Sequence, residues 1–253
     1  MTTLFIADIH LSEERTELTE AFFNYLDYRA IEADTLYILG DLFDAWIGDD
    51  AMGDFENSVA DKIAEYAAKG KEIFLMHGNR DFLLGNHFAE RAHLTILDDP
   101  SLIMLGDIPV LITHGDMLCT DDKKYMKFRK MVRSPLWQKM ALAMPLSQRK
   151  KVAQQMREKS QASNSDKPRE IMDVNHDAVV KLMQKYQVRT MIQGHTHRPD
   201  VHEFDIADGS MRRYVLGDWR INHEHDIDSG WEVRHDGLAL TLEEFHLSEL
   251  AYE

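Results

Sequence analysis

A chain of 253 residues with 44% hydrophobic and 29% charged residues holds enough apolar material for one domain with a sizeable core, which excludes wholesale disorder. Its formal net charge of −15, from 29 Lys and Arg against 44 Asp and Glu, argues against nucleic acid or an anionic membrane as partner if that charge is evenly spread. No apolar run approaches a membrane span, residues 1–8 lack the basic start of a signal peptide, and the single cysteine, Cys119, excludes an internal disulfide and fits a reducing cytosol.

The first hundred residues alternate between strand and helix. Residues 3–7 form a short apolar run, read as a buried strand. Residues 16–31 carry Leu18, Phe22, Phe23 and Leu26 at helical spacing. A second strand over 35–39 stops at Gly40, a helix over 57–69 ends at Gly70, and a third strand covers 72–76. This order, with strands apolar throughout, predicts a largely parallel sheet covered on both faces. Residues 102–105 and 109–113 then read as a hairpin around Gly106-Asp107. From 121 to 170 there is no strand signal, and Ser134-Pro135 and Pro145 break the stretch into helices. Strands follow at 188–192, 201–206, 212–216, 231–234 and 238–245. The expected fold is α/β, two sheets packed face to face, in a single domain over 1–253 with an inserted helical lid over 121–170.

Metal-type residues recur where these strands end. Asp8-Ile9-His10 follows the first, Gly40-Asp41 the second, and Gly78-Asn79-Arg80-Asp81 the third. His114-Gly115-Asp116 follows the hairpin, and Gly194-His195-Thr196-His197 follows the strand at Ile192. Loops at the carboxyl ends of parallel strands are where α/β sheets build sites, and glycine lets backbone approach an ion closely. A Gly-Asp alone is an ordinary turn, and two nearby histidines are ordinary loop residues; the signal is all five in order. Such a cluster makes two mixed nitrogen and oxygen sites for Mn²⁺, Fe²⁺ or Zn²⁺, with no thiolate to select zinc. Two ions about 3.5–4 Å apart clamp a phosphoryl group and bring the pKa of a bound water towards ~7. Residue chemistry alone thus gives two-metal hydrolysis of a phosphoester or diphosphate.

The order Asp-x-His, Gly-Asp, Gly-Asn-x-Asp, His-Gly, Gly-His-x-His resembles the calcineurin-like metallophosphoesterase superfamily. That resemblance implies a four-layer α/β/β/α sandwich, with Asp8, His10 and His197 on one ion, Asn79, His114 and His195 on the other, and Asp41 bridging both. The stretches Gly40-Asp41-Leu42-Phe43-Asp44-Ala45-Trp46, His77-Gly78-Asn79-Arg80-Asp81-Phe82-Leu83 and His114-Gly115-Asp116-Met117-Leu118-Cys119-Thr120-Asp121-Asp122 go further. With Ile171-Met172-Asp173-Val174-Asn175 and Gly194-His195-Thr196-His197-Arg198-Pro199 they resemble the UDP-2,3-diacylglucosamine hydrolases of lipid A biosynthesis. The resemblance runs from Leu4 to about Trp219.

What the family implies is a diphosphatase that releases UMP and 2,3-diacylglucosamine 1-phosphate (lipid X). It uses two divalent ions, Mn²⁺ first, with metal-bound hydroxide attacking the α-phosphorus. Many superfamily members carry His after the Asn, placed to protonate an alkoxide. Here Arg80 stands there and gives up no proton. A phosphate monoester leaving group needs none, and Arg80 suits phosphate oxygens. Asp41, Asn79, Arg80, His114 and His195 are the expected catalytic set. Asp122, Ser160, Asn164 and Lys167 are the expected contacts to the glucosamine phosphate, with Tyr125 and Arg157 beside them, and Asn79, Arg80 and His195 also face substrate.

The lid holds fourteen basic and five acidic residues, a net of +9, interleaved with Met126, Phe128, Met131, Leu136, Trp137, Met140 and Leu146. A basic amphipathic helix pair suits acyl chains and an anionic bilayer surface. The expected location is the cytoplasmic face of the inner membrane, peripherally bound, with no nucleic acid and no protein partner. Ser163-Asn164-Ser165-Asp166 are poor helix formers, so part of that stretch is expected as loop. A phosphoesterase on nucleotides or phosphoproteins, a metal-free interaction scaffold and a nuclease remain alternatives on residue chemistry alone.

Overall fold

The computed structural model describes residues 1–165, 173–207, 209–225 and 227–250, with the side chains of 157–165 outside that description. The elements run in chain order as β1 (Thr3–Ile6), α1 (Thr16–Asn24), β2 (Thr35–Ile38), α2 (Asp54–Ala67), β3 (Glu72–Met76), α3 (Asn86–Ala92), β4 (Thr95–Leu97), β5 (Ser101–Leu105) and β6 (Ile108–Thr113). Then come α4 (Lys123–Val132), α5 (Pro135–Leu142), α6 (Leu146–Ser165) and α7 (His176–Tyr186). The chain ends with β7 (Thr190–Gln193), β8 (Asp200–Ile206), β9 (Gly209–Val215), β10 (Arg220–Asn222), β11 (Ile227–His235) and β12 (Leu240–Phe245).

Strands β1 to β4 lie side by side and parallel. Antiparallel β11 closes the other side of β1 and carries β10 and β12, giving a seven-stranded sheet. The second sheet has five strands in the order β5-β6-β7-β9-β8, with β6, β7 and β9 parallel.

Side chains on a strand alternate between faces, and here that alternation sorts the core into layers. Leu4, Ile6, Leu36, Ile38, Ile73 and Leu75 pack against Phe22, Ile63 and Phe88 of the outer helices. Phe5, Ala7, Leu39 and Met76 point the other way and meet Val110, Ile112 and Ile192 of the second sheet. On the far face of that sheet, Leu111, Met191 and Met211 pack on Val179 and Met183 of α7. The first sheet is buried on both faces, which is why its parallel strands carry runs of consecutive apolar residues, as in Leu4-Phe5-Ile6 and Ile73-Phe74-Leu75, rather than every second one. Helices, sheet, sheet, helix form the four layers expected.

Several elements depart from the sequence reading. The helix expected over 16–31 is α-helical only to Asn24, then widens into a π turn over Tyr25–Arg29. The wider turn lets Tyr25 and Arg29 both reach the buried Glu232 carboxylate, at 2.8 and 3.1 Å. Strands β4 and β10, of three residues each, and helix α3, of seven, are too short to announce themselves by periodicity. Helix α7 went unread, although Asn175 caps it and Val179 and Met183 lie one turn apart. Helix α6 includes Ser163-Asn164-Ser165; the remainder of the stretch expected in part as loop, from 166, lies outside the described residues.

Candidate metal centre

All the parallel strands deliver their carboxyl ends to one edge, and the two sheets are joined there through Asp8. Its N–H donates to the Gly40 carbonyl at 3.1 Å and its carbonyl accepts from Trp219 N at 3.2 Å. Its carboxylate accepts from His195 N at 2.7 Å. The backbone at this edge is unusual. Seven described non-glycine residues have positive φ, and Asp8, His10, Asp41, His195 and His197 are five of them. The other two, His93 and Gln187, end α3 and α7, where a left-handed residue is common. Held there by the surrounding hydrogen bonds, the five store strain of the kind that clusters at functional sites.

The strained turns aim the side chains inward. His197 Nε2 lies 3.3 Å from both Asp8 Oδ1 and His10 Nε2. Asp41 Oδ2 lies 4.0 Å from His10 Nδ1 and 3.9 Å from His114 Nε2. Asn79 Oδ1 lies 3.0 Å from His114 Nε2, and the His195 ring sits 5.0 Å from that of His114. Two ligands of one ion, each about 2.1 Å from it, stand about 3–3.5 Å apart, so the 3.0–3.3 Å spacings suit donors sharing a cation, while those from Asp41 are wider. Asp8, His10 and His197 form one such group, and Asp8, Asp41 and His114 another.

Three further observations test the fit. Asp8 Oδ1 and His10 Nδ1 are buried and make no hydrogen bond. Buried polar atoms are normally satisfied, and a metal bond would satisfy the Asp8 oxygen. Next, His114 Nδ1 faces the Leu39 carbonyl at 2.9 Å and His197 Nδ1 faces the Asp218 carboxylate at 3.2 Å. Those oxygens only accept, so each Nδ1 carries a proton and Nε2 is the nitrogen each ring would turn to a cation. Finally, burial pushes the Asp41 carboxyl up to about 7, over the pull of His114. Against burial, the carboxylates Asp41 and Asp8 lift His114 to about 9, and Asp8 with Asp218 lifts His197 to about 10. Without cations, protons must neutralise these carboxylates. The residues fit a pair of divalent ions.

Among the other expected residues, Asp81 braces backbone: it accepts from Leu42 N at 2.9 Å and Gly78 N at 2.7 Å. Arg80 donates its N–H to Asp41 at 2.7 Å, and its guanidinium stands 3.5 Å from Asp44 rather than pairing with Asp81. Tyr125 stacks on the His195 ring at 6.0 Å and donates its hydroxyl to Asp116 at 2.7 Å. Asp122 caps α4 by accepting from Tyr125 N. Arg157, Ser160 and Asn164 lie on α6 with their side chains outside the described part, and Lys167 lies outside the described residues. Cys119 is buried, and burial pushes its thiol up to about 12.

Three insert arginines turn inward, which the sequence reading did not foresee. Arg129 donates to Asp116 at 2.8 Å and Asp99 at 3.2 Å. Arg133 donates to the His77 and Gly78 carbonyls at 3.1 and 2.9 Å. Arg149 donates to the Ile47 carbonyl at 2.6 Å and pairs with Asp50. Asp218 was also missed, although Tyr214-Val215-Leu216-Gly217-Asp218 repeats the apolar run and Gly-Asp of Leu39-Gly40-Asp41.

Comparison with known proteins agrees with this geometry. The calcineurin-like phosphoesterase family matches residues 1–199. UDP-2,3-diacylglucosamine hydrolase of Chromohalobacter salexigens is 48% identical over 97% of this chain and 98% of its own length. That of Azotobacter vinelandii is 45% identical over 97% and 99%, and that of Pseudomonas syringae pv. tomato 46% identical over 96% and 95%. Identity at this level over both full lengths, with the strand-end residues assembled as one cluster, means that the chain belongs to the UDP-2,3-diacylglucosamine hydrolase family of calcineurin-like phosphoesterases.

Proposed function

We propose that the chain hydrolyses the diphosphate of UDP-2,3-diacylglucosamine to UMP and 2,3-diacylglucosamine 1-phosphate, a step of lipid A biosynthesis. The observation that supports this reading is the cluster of Asp8, His10, Asp41, His114 and His197, built at strand ends of both sheets, with Asn79 and His195 against His114. Asp8, His10 and His197 would hold one ion, Asn79, His114 and His195 the other, with Asp41 between them. Divalent ions there, Mn²⁺ being our assignment, would neutralise the diphosphate and acidify a water.

The chain's own residues do the rest. Arg80 presents its guanidinium to phosphate oxygens once drawn from Asp44, and Asp81 fixes the loop that carries it. Tyr125, anchored on Asp116, forms a wall beside His195. Bond cleavage at the α-phosphorus expels a phosphate monoester, so no side chain need supply a proton. Asp122, Arg157, Ser160, Asn164 and Lys167 are assigned to the glucosamine phosphate.

The insert is assigned to the lipid. Leu136 is 70% exposed and Met140 57%, with Leu142 and Leu146 beside them in sequence. Exposed Lys139, Lys150 and Lys151 punctuate the same two helices. Among the described residues no helix is long and apolar enough to cross a membrane, and we assign the insert to peripheral contact with an anionic leaflet.

Purified chain with Mn²⁺ in ¹⁸O water tests the chemistry. The label is expected in UMP, and His114→Ala is expected to abolish turnover. Label in the sugar phosphate would overturn attack at the α-phosphorus, and full activity of His114→Ala the metal reading. Unchanged kcat/KM on a substrate without acyl chains would favour a phosphoesterase of small soluble substrates. Changing Lys139, Lys150 and Lys151 together to Glu should weaken sedimentation with anionic vesicles; unchanged binding would refute the membrane placement.

A further inference from the structure

We infer that Asp218 is a positioning residue for the metal centre, orienting His197 through its Nδ1. The inference rests on the reading of His197 as a ligand and adds a residue beyond the seven donors. Strands β7 and β9 are parallel neighbours, so the turn after β9 arrives beside the turn that carries His195 and His197. Asp218 Oδ2 stands 3.2 Å from His197 Nδ1, while His197 Nε2 faces Asp8 and His10 on the opposite side of the ring. This is the carboxylate–histidine–metal arrangement, in which the carboxylate fixes tautomer and ring direction and strengthens the lone pair.

The flanking residues hold the carboxylate in place. A Cβ on Gly217 would lie 2.3 Å from the Trp231 ring, so only glycine lets the chain pass flush against it. Trp219 is buried against Phe22, Tyr25 and Phe245 and donates its backbone N–H to the Asp8 carbonyl at 3.2 Å. Gly217, Asp218 and Trp219 thus tie one side to the ligand His197 and the other to the backbone of the ligand Asp8. Arg220 also pairs with Asp218, on the same Oδ2 that faces His197. His197 is itself strained, with φ of 54°, and its ring has no other described hydrogen-bond partner on Nδ1.

The test is Mn²⁺ binding to the full chain, followed by equilibrium dialysis and by electron paramagnetic resonance. Wild type is expected to hold two ions with the spectrum of a coupled pair. Asp218→Ala is expected to weaken one of them by about 10–100-fold and leave the other unchanged, replacing the coupled spectrum by that of an isolated ion. Asp218→Asn keeps the shape, guards against a folding failure, and should lose the same ion less severely. Two ions at wild-type affinity in Asp218→Ala would overturn the inference, as would equal weakening of both ions, which marks a general structural role. A wild-type chain that binds no Mn²⁺ would overturn the metal reading itself, and this inference with it.

Discussion

Gly78→Ala adds one carbon at the most crowded point of the centre. The new Cβ would lie 2.1 Å from Asp41 Oδ1 and 2.3 Å from Asp41 N, where ordinary contact begins at 3.4 Å. Relief requires a shift of 1.3 Å, the difference between 3.4 and 2.1 Å. The loop has little room to give, because Gly78 N is tied to Asp81 and Asp81 to Leu42 N. Arg133 grips the Gly78 carbonyl from above. Overpacking of this kind costs about 1–3 kcal/mol in stability. Displacing a reacting group by about 1 Å costs on the order of 10²-fold in rate. Gly70→Ala is the control. Its φ of +81° strains any alanine by about 1–2 kcal/mol, yet nothing lies within 4 Å of its Cβ. Urea denaturation should show similar losses for both variants, while kcat/KM on the diphosphate falls about 100-fold for Gly78→Ala alone. Equal kcat/KM for the two would refute the argument that Asp41 is placed by this contact.

Trp219→Ala removes a 1% exposed indole from a cluster of four aromatic rings and should cost about 3–5 kcal/mol by urea denaturation, with Trp219→Phe well below that. Metal binding should release protons, because His114 and His197 hold theirs up to about 9 and 10 when no cation neutralises Asp41 and Asp8. Apparent Mn²⁺ affinity should therefore rise as pH rises from 6 to 9, measured by titration calorimetry in buffers of different ionisation enthalpy; a pH-independent affinity would contradict this. The Cys119 thiol, raised from 9.0 to about 12 by burial and by Asp116, keeps its proton in the folded chain where the unfolded chain has lost it. Stability from this group is complete below pH 9 and lost as pH rises towards 12, and thiol reagents at pH 8 should react only after denaturation.

The candidate donors stand out in the sequence because each lies within five residues past an apolar run, and strand ends are marked by composition. The layers were readable for the same reason: continuous apolar strands mean two covered faces. What the sequence withheld is contact between distant segments. Nothing near Arg149 announces Ile47 and Asp50 as partners, and a run of basic residues reads as a solvated face until three of them are seen turned inward. Asp218 is a different kind of omission. Its Gly-Asp after Leu216 has the same form as Gly40-Asp41, but its partner in the centre, His197, lies 21 positions away, on the neighbouring strand's turn. The left-handed backbones of Asp8, His10 and His197 also leave no mark, since side chains rather than dihedrals are written in the alphabet.

The inward arginines bear on how this enzyme family can be re-engineered. An insert fastened through Asp99, Asp116, Asp50 and the carbonyls of His77 and Gly78 is not a detachable cartridge. Transplanting residues 121–170 onto another phosphoesterase body would carry over the lysines and apolar side chains but leave three guanidinium groups facing whatever that body offers. A chimera would accept the insert only if its receiving loops brought the matching acids and carbonyls. The insert and the loops that carry the metal centre are therefore expected to travel together, as one inherited unit spread over both parts of the chain.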